Sequence, residues 1–304
     1  MTQPTLAIFA NFLIDNEERL QRMKDSFHSF KEVDPYQWLI NIRGRFKRQA
    51  TLFLQEELGE KLNLFNLQSR QGWIHDSKII AKNIKSDYVF CWAEDHILVA
   101  TPLYFKNCII EMNKFNADQL WYSFYDSSKN QFSIIEPHKL GNYITLNKLV
   151  YDLSEKTRIN NIDNDSYIVS LLSIMSKSFF TKILMSPKPY LKRYPKHTPF
   201  DFEKKSKDKV SDIIFHSLPN QELFASIDDD KGLGSSLISR GLYPKRHGKE
   251  KNIYLITKES INILENSFSM SWKQKIEKKI SKDIKLIILY PLVLLKRILY
   301  TLNL

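Results

Sequence analysis

The stretch SRQGWIHDSKIIAKNIKSDYVFCWAEDH, residues 69–96, decides the fold. In its first part, Gly72–Lys85, the apolar residues Trp73, Ile74, Ile79, Ile80 and Ile84 recur at helix-compatible spacing. In its second, Asp87–Ala93, β-formers dominate, and the apolar run around Cys91 reads as a buried strand. That strand runs out at Glu94-Asp95-His96. Upstream, Thr5–Ala10 reads as a strand, Asn16–Phe30 as a helix, Gln37–Ile42 as a strand and Arg45–Leu58 as a helix, the βαβα alternation of a parallel sheet. Downstream, Thr101–Lys114 is expected to be helical, with Thr101 as cap and Pro102 at the first position, and Gln119–Tyr125 to be a further strand.

Beyond residue 126 the pattern loosens. Pro137 and Gly141 break residues 126–165 into expected loops and short strands, a kind of surface that often binds acceptors. Tyr167–Met175 reads as strand and Lys177–Met185 as a short helix. Pro187, Pro189, Pro195 and Pro199 mark a stiff connection into an expected helix, Asp201–Phe215. Residues 217–252 hold Gly232, Gly234, Gly241 and Gly248 and few periodic signals, so they read as a mobile loop.

At 304 residues and 43% hydrophobic content, the chain can bury one sizeable core or two modest ones. A net charge of +11 and a sequence pI near 9.3 imply an anionic partner. Between Ser271 and Leu304 eight Lys or Arg face only Glu277 and Asp283, so +6 of the charge sits in this tail. A mildly basic body argues against nucleic acid. Six lysines from Lys273 to Lys285 precede the apolar Leu286–Leu295, and Lys296-Arg297 follow it. Cations bordering a short greasy helix suit an anionic membrane surface, each adding about 1 kcal/mol; the alternative is a helix packed on the body or on a partner. The apolar run is shorter than the roughly 18–20 residues of a membrane span and contains Pro291. Two cysteines, Cys91 and Cys108, make no disulfide framework, and the opening residues lack signal-peptide character, so a cytoplasmic protein at the inner face of the membrane is expected.

In an open parallel sheet, ligands bind beyond the carboxyl ends of the strands, where Glu94, Asp95 and His96 fall. Two carboxylates and an imidazole crowded there are costly unless a cation or donors offset them. A divalent metal would do so, and mixed carboxylate and imidazole ligation suits manganese better than calcium.

Residues 69–96 resemble the helix-then-strand segment of GT-A glycosyltransferases, in which a basic, glycine-containing helix start leads to a strand ending in an acidic motif, usually Asp-x-Asp. Glu94-Asp95-His96 is similar to the acidic-x-His form of some metal-dependent members. The resemblance covers roughly residues 5–125, with a weaker echo to about 215, and is to the family-2-like bacterial enzymes of surface polysaccharide synthesis. It implies a GT-A-like, Rossmann-like α/β fold with a mostly parallel central sheet flanked by helices, over residues 1–268, before a basic amphipathic tail at 269–304. It also implies a nucleotide-diphosphate sugar donor, with uridine the favoured nucleoside, and Mn2+ or Mg2+ at the diphosphate. By the same resemblance Glu94 and Asp95 lie near the ribose or metal, His96 is a metal ligand, Asn11 and Arg43 hold the nucleoside, and Asp76 and Lys78 face the nucleotide.

An inverting transfer needs a carboxylate to take the acceptor's proton. Asp201, with Glu203 second, is the candidate, where Thr198-Pro199-Phe200-Asp201-Phe202-Glu203 enters a helix; the plainer reading is an ordinary helix N-terminus. Asp228-Asp229-Asp230 is the alternative carboxylate source, or a solvated turn. His216 is a candidate further metal ligand, or a structural histidine. Arg240, with Lys245, Arg246 and His247 on the glycine-bearing loop, is the candidate to close over the diphosphate. The chain thus reads as a glycosyltransferase acting on a glycan or lipid-linked glycan acceptor, with a non-catalytic membrane-surface adaptor on an α/β scaffold as the competing class.

Overall fold

A computed structural model describes residues 3–69, 72–120, 137–150, 171–185, 199, 202, 213–228 and 236–243. Asp201, Glu203, Asp229, Asp230, Lys245, Arg246, His247 and the whole of 269–304 lie outside the described residues. The strands are β1 (Leu6–Leu13), β2 (Gln37–Arg43), β3 (Leu62–Phe65), β4 (Tyr88–Cys91), β5 (His96–Leu98), β6 (Gln119–Leu120), β7 (Pro137–Leu140), β8 (Ile144–Val150), β9 (Ile174–Ser176), β10 (Ile213–Pro219) and β11 (Phe224–Ser226). The α-helices are α1 (Glu17–Phe30), α2 (Lys47–Leu58), α3 (Trp73–Ala81), α4 (Pro102–Phe115) and α5 (Lys177–Leu184).

Nine strands form one sheet in the order β3-β2-β1-β4-β9-β6-β10-β8-β7, and β11 pairs with β5 in a second, two-stranded sheet. The pairs β1–β2, β2–β3, β1–β4 and β6–β10 are parallel; β9 and β8 run against their neighbours, so seven of the nine strands point one way. The architecture is α/β with a mostly parallel central sheet flanked by helices.

Alternation along the strands sends successive side chains to opposite faces, and both faces are covered. On one, Ile8, Ala10, Phe12, Trp38, Ile40, Phe90 and Trp92 meet Met23, Phe27 and Phe30 of α1, Ala50 and Leu54 of α2, and Phe105 and Met112 of α4. On the other, Ala7, Phe9, Leu39, Val89 and Cys91 meet Trp73, Ile74 and Ile80 of α3 and Phe179, Phe180 and Ile183 of α5. Two-sided burial explains why β1 and β4 are near-continuous apolar runs and why β2 is apolar from Trp38 to Ile40. Each fully buried Phe or Ile contributes about 1.5–3 kcal/mol. Helix α1 starts where the Asn16 side chain accepts from the Arg19 amide, and α4 where Thr101 accepts from Tyr104, with Pro102 at the first position.

The structure corrects the sequence reading at the second half. Residues 213–215, expected to end a helix, open β10, and residues 217–252 are not one loop. Within that range β11 and the turn at 236–243 are packed: Ala225, Ile227, Leu237 and Tyr243 bury against Ile97. Of the expected strand Tyr167–Met175, Ile174 and Met175 belong to β9, while residues 171–173 are bends. The half-exposed edge strand β3, only four residues long, is a finding of the structure.

Candidate functional site

After β1 the chain builds β2 and β3 on one side, then returns to lay β4 on the other. The carboxyl ends of β1 and β4 therefore flank a topological switch point, the crevice where open α/β sheets bind ligands. Beyond Cys91 the Trp92 amide still donates to Phe9 O at 2.8 Å. The chain then turns through Ala93–Asp95, and His96 opens β5, so the acidic trio forms a turn between two strands rather than the end of one.

This turn is held from three directions. Trp92 Nε1 donates to Ser26 Oγ of α1 at 2.7 Å, and that hydroxyl in turn donates to the His96 carbonyl. The Leu98 amide donates to Ser29 Oγ at 3.0 Å. From the far segment, the Ile227 amide donates to Asp95 O at 2.7 Å, next to the Ser226–His96 register of β11 and β5.

Within the trio each side chain has a different state. His96 is buried, and its Nδ1 lies 2.6 Å from Asp95 Oδ1. Burial pushes the Asp95 carboxyl up, but the charge and hydrogen bond of His96 outweigh it and hold Asp95 below the usual carboxylate value. Burial and the neighbouring Asp95 charge push Glu94 up to about 7. Arg19 Nε is 3.8 Å from Glu94 Oε1. Arg22, one turn further along α1, is bound by Glu18 at 2.8 Å and by Asp228 at 2.6 Å.

A raised carboxyl pKa has a defined consequence for stability. Glu94 is protonated more readily in the folded chain than at its ordinary 4.5, so folding loses stability as pH rises from about 4.5 to about 7. Glu94→Gln removes that loss. Its melting temperature relative to wild type should climb across this interval and level off above it; a difference constant from pH 4.5 to 8 would refute the assignment.

The nucleoside-side candidates are woven into the protein itself. Asn11 Nδ2 donates to Trp73 O at 3.1 Å and to Ser77 Oγ at 3.0 Å, and its Oδ1 accepts from Asn41 Nδ2 at 2.9 Å. Trp73 Nε1 donates back to Asn11 O at 3.0 Å. Arg43 ends β2 almost fully buried; burial lowers its guanidinium pKa, against the opposing charge of Asp76. Asp76 Oδ1 accepts from the Ser69 amide at 3.2 Å, while its buried Oδ2 has no hydrogen-bond partner among the described residues. Lys78, two positions on, lies about 200° around α3 at 100° per residue and is half-buried, so it and Asp76 face different ways.

Two assignments are corrected by geometry. His216 sits in β10 opposite Gln119 and Asn147, and β9 and β6 separate β10 from β4. Among the described residues no group of three His, Cys, Asp or Glu side chains that could hold an ion includes His216. Burial lowers its pKa to about 3, which keeps the imidazole neutral. Arg240 is not poised on an open loop: its guanidinium is buried and makes a two-pronged pair with Glu222 at 2.7 and 2.6 Å. The trio supplies no three-ligand metal centre by itself. His96 Nδ1 is engaged by Asp95, and among the described residues no three His, Cys, Asp or Glu side chains converge to hold an ion.

Arg19, Arg22 and Asp25 are site residues that pattern reading passed over. Asp25, buried in α1, accepts from Gln21 at 3.0 Å and from Tyr243 Oη at 2.5 Å, fastening the 236–243 turn to the helix. One signal was present: arginines in the first turns of a helix oppose its dipole and so imply anionic company.

No family model matches the chain, and no curated protein matches it. Among solved structures, S. aureus TarS 1-349 in complex with UDP-GlcNAc aligns at a TM-score of 0.45 and 9% identity, covering 72% of this chain and 57% of that one. S. aureus TarS 1-349 aligns at 0.45 and 11%, covering 87% and 72%. S. aureus TarS aligns at 0.44 and 9%, covering 89% and 44%, so this chain spans under half of that protein's length.

Proposed function

We propose that the chain is a GT-A-type glycosyltransferase that moves a sugar from a nucleotide-diphosphate donor, UDP-linked by preference, to a glycan or lipid-linked glycan acceptor of a bacterial surface polysaccharide. The observation that carries this reading is the placement of Glu94 and Asp95 at the β1/β4 switch point, beside the N-terminal turns of α1. A group with a pKa near 7 is about half protonated at neutral pH, so Glu94 can donate a hydrogen bond to a ribose hydroxyl or phosphate oxygen as well as accept one. Asp95 stays charged and, through His96, fixes the turn. In the reaction the acceptor oxygen attacks the anomeric carbon while the bond to the diphosphate oxygen breaks, and Asp201, or Glu203 in its place, takes the acceptor's proton. The basic tail holds the enzyme at an anionic membrane surface.

One observation favours the adaptor reading: Asn11 and Asn41 close on each other, on Trp73 and on Ser77, where a nucleoside would need partners. Thermal shift separates the two. UDP, GDP or dTDP at a hundredfold over its Kd, with and without manganese, should stabilise the enzyme by about 2.7 kcal/mol, several degrees in Tm. Glu94→Ala should reduce that shift. No shift with any of the three diphosphates would leave the adaptor.

A further inference from the structure

We propose that Arg19 is the cation that receives the leaving diphosphate, an assignment that rests on the donor-transfer reading above and names a catalytic residue for it. Arg19 Nη1 donates to Leu13 O at 2.9 Å, which pins the guanidinium over the carboxyl end of β1, at the edge of the switch-point crevice. The side chain is 43% exposed, and Nη2 makes no hydrogen bond among the described residues. Its two acidic neighbours, Glu94 and Asp15, each stand 3.8 Å away, beyond hydrogen-bond length. Arg19 is thus tethered by the backbone and only loosely paired by charge.

Arg22 shows the contrast. It lies on the same face of α1, 16% exposed, and short bonds to Glu18 and Asp228 occupy it. A cation in the first turn adds to the positive end of the helix dipole, an arrangement that is unfavourable unless an anion completes it. Glu94 and Asp15, the carboxylates beside Arg19, complete it only with charge contacts at 3.8 Å. A phosphate at that place would accept a fork of guanidinium N–H bonds on two of its oxygens, where Glu94 at 3.8 Å makes only a charge contact. When the anomeric carbon–oxygen bond breaks, its electron pair stays on the terminal phosphate oxygen. Arg19 hydrogen-bonds that oxygen without giving up a proton, and the acceptor's proton goes to the carboxylate base, so charge and atoms balance.

The test is direct binding of UDP and UMP to the full chain, in manganese and in EDTA, for wild type, Arg19→Gln and Arg19→Lys, with melting curves to establish that each variant is folded. GDP and dTDP with their monophosphates are run in parallel. The expected result is an affinity for the diphosphate at least tenfold weaker in Arg19→Gln, a change under threefold for the monophosphate, and partial recovery in Arg19→Lys. Unchanged diphosphate affinity in Arg19→Gln overturns the assignment. So does an equal loss for diphosphate and monophosphate, which would mark Arg19 as support for the crevice as a whole. If wild type binds none of the three diphosphates, donor transfer itself fails before any variant is measured, and this assignment falls with it.

Discussion

Arg240→Met is expected to destabilise the folded chain by about 3–5 kcal/mol, the cost of breaking a buried ion pair by removing one partner. Glu222 and Arg240 are both buried, and two bonds of 2.7 and 2.6 Å join them. Removing the guanidinium takes both short bonds from a buried carboxylate. The effect should not stay local. Next to Glu222, the Leu223 carbonyl accepts from the Val99 and Ala100 amides, and β11 then pairs with β5, which begins at His96. Amide exchange at residues 97–100 should therefore accelerate in the variant, and nucleotide affinity should fall with it. The double variant Glu222→Leu/Arg240→Met removes both charges and should recover most of the lost stability, since replacing a whole buried pair by apolar groups is often neutral or favourable. Urea midpoints of the three proteins decide the matter. A single variant within 1 kcal/mol of wild type would mean that water or another group already compensates Glu222.

Most of the first half of the molecule could be read without coordinates because there local pattern and global packing agree. In β1, β2 and β4 both faces are buried, so most of their residues are apolar whichever way they point, and Asn16, Thr101 and Pro102 announce the helices that follow. The second half failed for the opposite reason. Strands β9 and β11 are three residues long, too short for periodicity, and β11 exists because the turn at 236–243 and β5 bury it. Glycines that suggested a loose loop carry no information about such long-range packing. At the site, the position of Glu94-Asp95-His96 was legible from the strand before it. Its internal chemistry was not: that Asp95 engages the His96 ring and that Glu94 lies against Arg19 depend on a turn and on the docking of α1. Arg240 and His216 show the converse hazard. Residue type alone left His216 open as ligand or structural group and offered Arg240 to the diphosphate, whereas burial decides both.

Gly44→Ala should cost about 2–4 kcal/mol and weaken nucleotide binding at the same time. Gly44 has φ +100°, where an alanine is strained by about 1–3 kcal/mol. A Cβ there would also stand 2.4 Å from Ile14 O and 2.7 Å from Ile14 C, both backbone atoms without a rotamer to yield. Ile14 is the joint between the two strand ends that carry the crevice: its amide donates to Arg43 O at 2.8 Å, and its carbonyl accepts from the Phe46 amide at 2.9 Å. Pushing Ile14 aside displaces Leu13, whose carbonyl anchors Arg19. Gly59→Ala is the matched control. Gly59 also has positive φ, +53°, but nothing lies within 4 Å of the Cβ it would gain, so that variant carries backbone strain alone and sits at the far end of α2 from this joint. The difference in urea midpoint between the two variants then measures the steric clash, and UDP affinity should fall in Gly44→Ala while holding in Gly59→Ala. Equal destabilisation of the two, with binding intact in both, would mean that the ends of β1 and β2 tolerate movement and that Arg19 does not depend on their register.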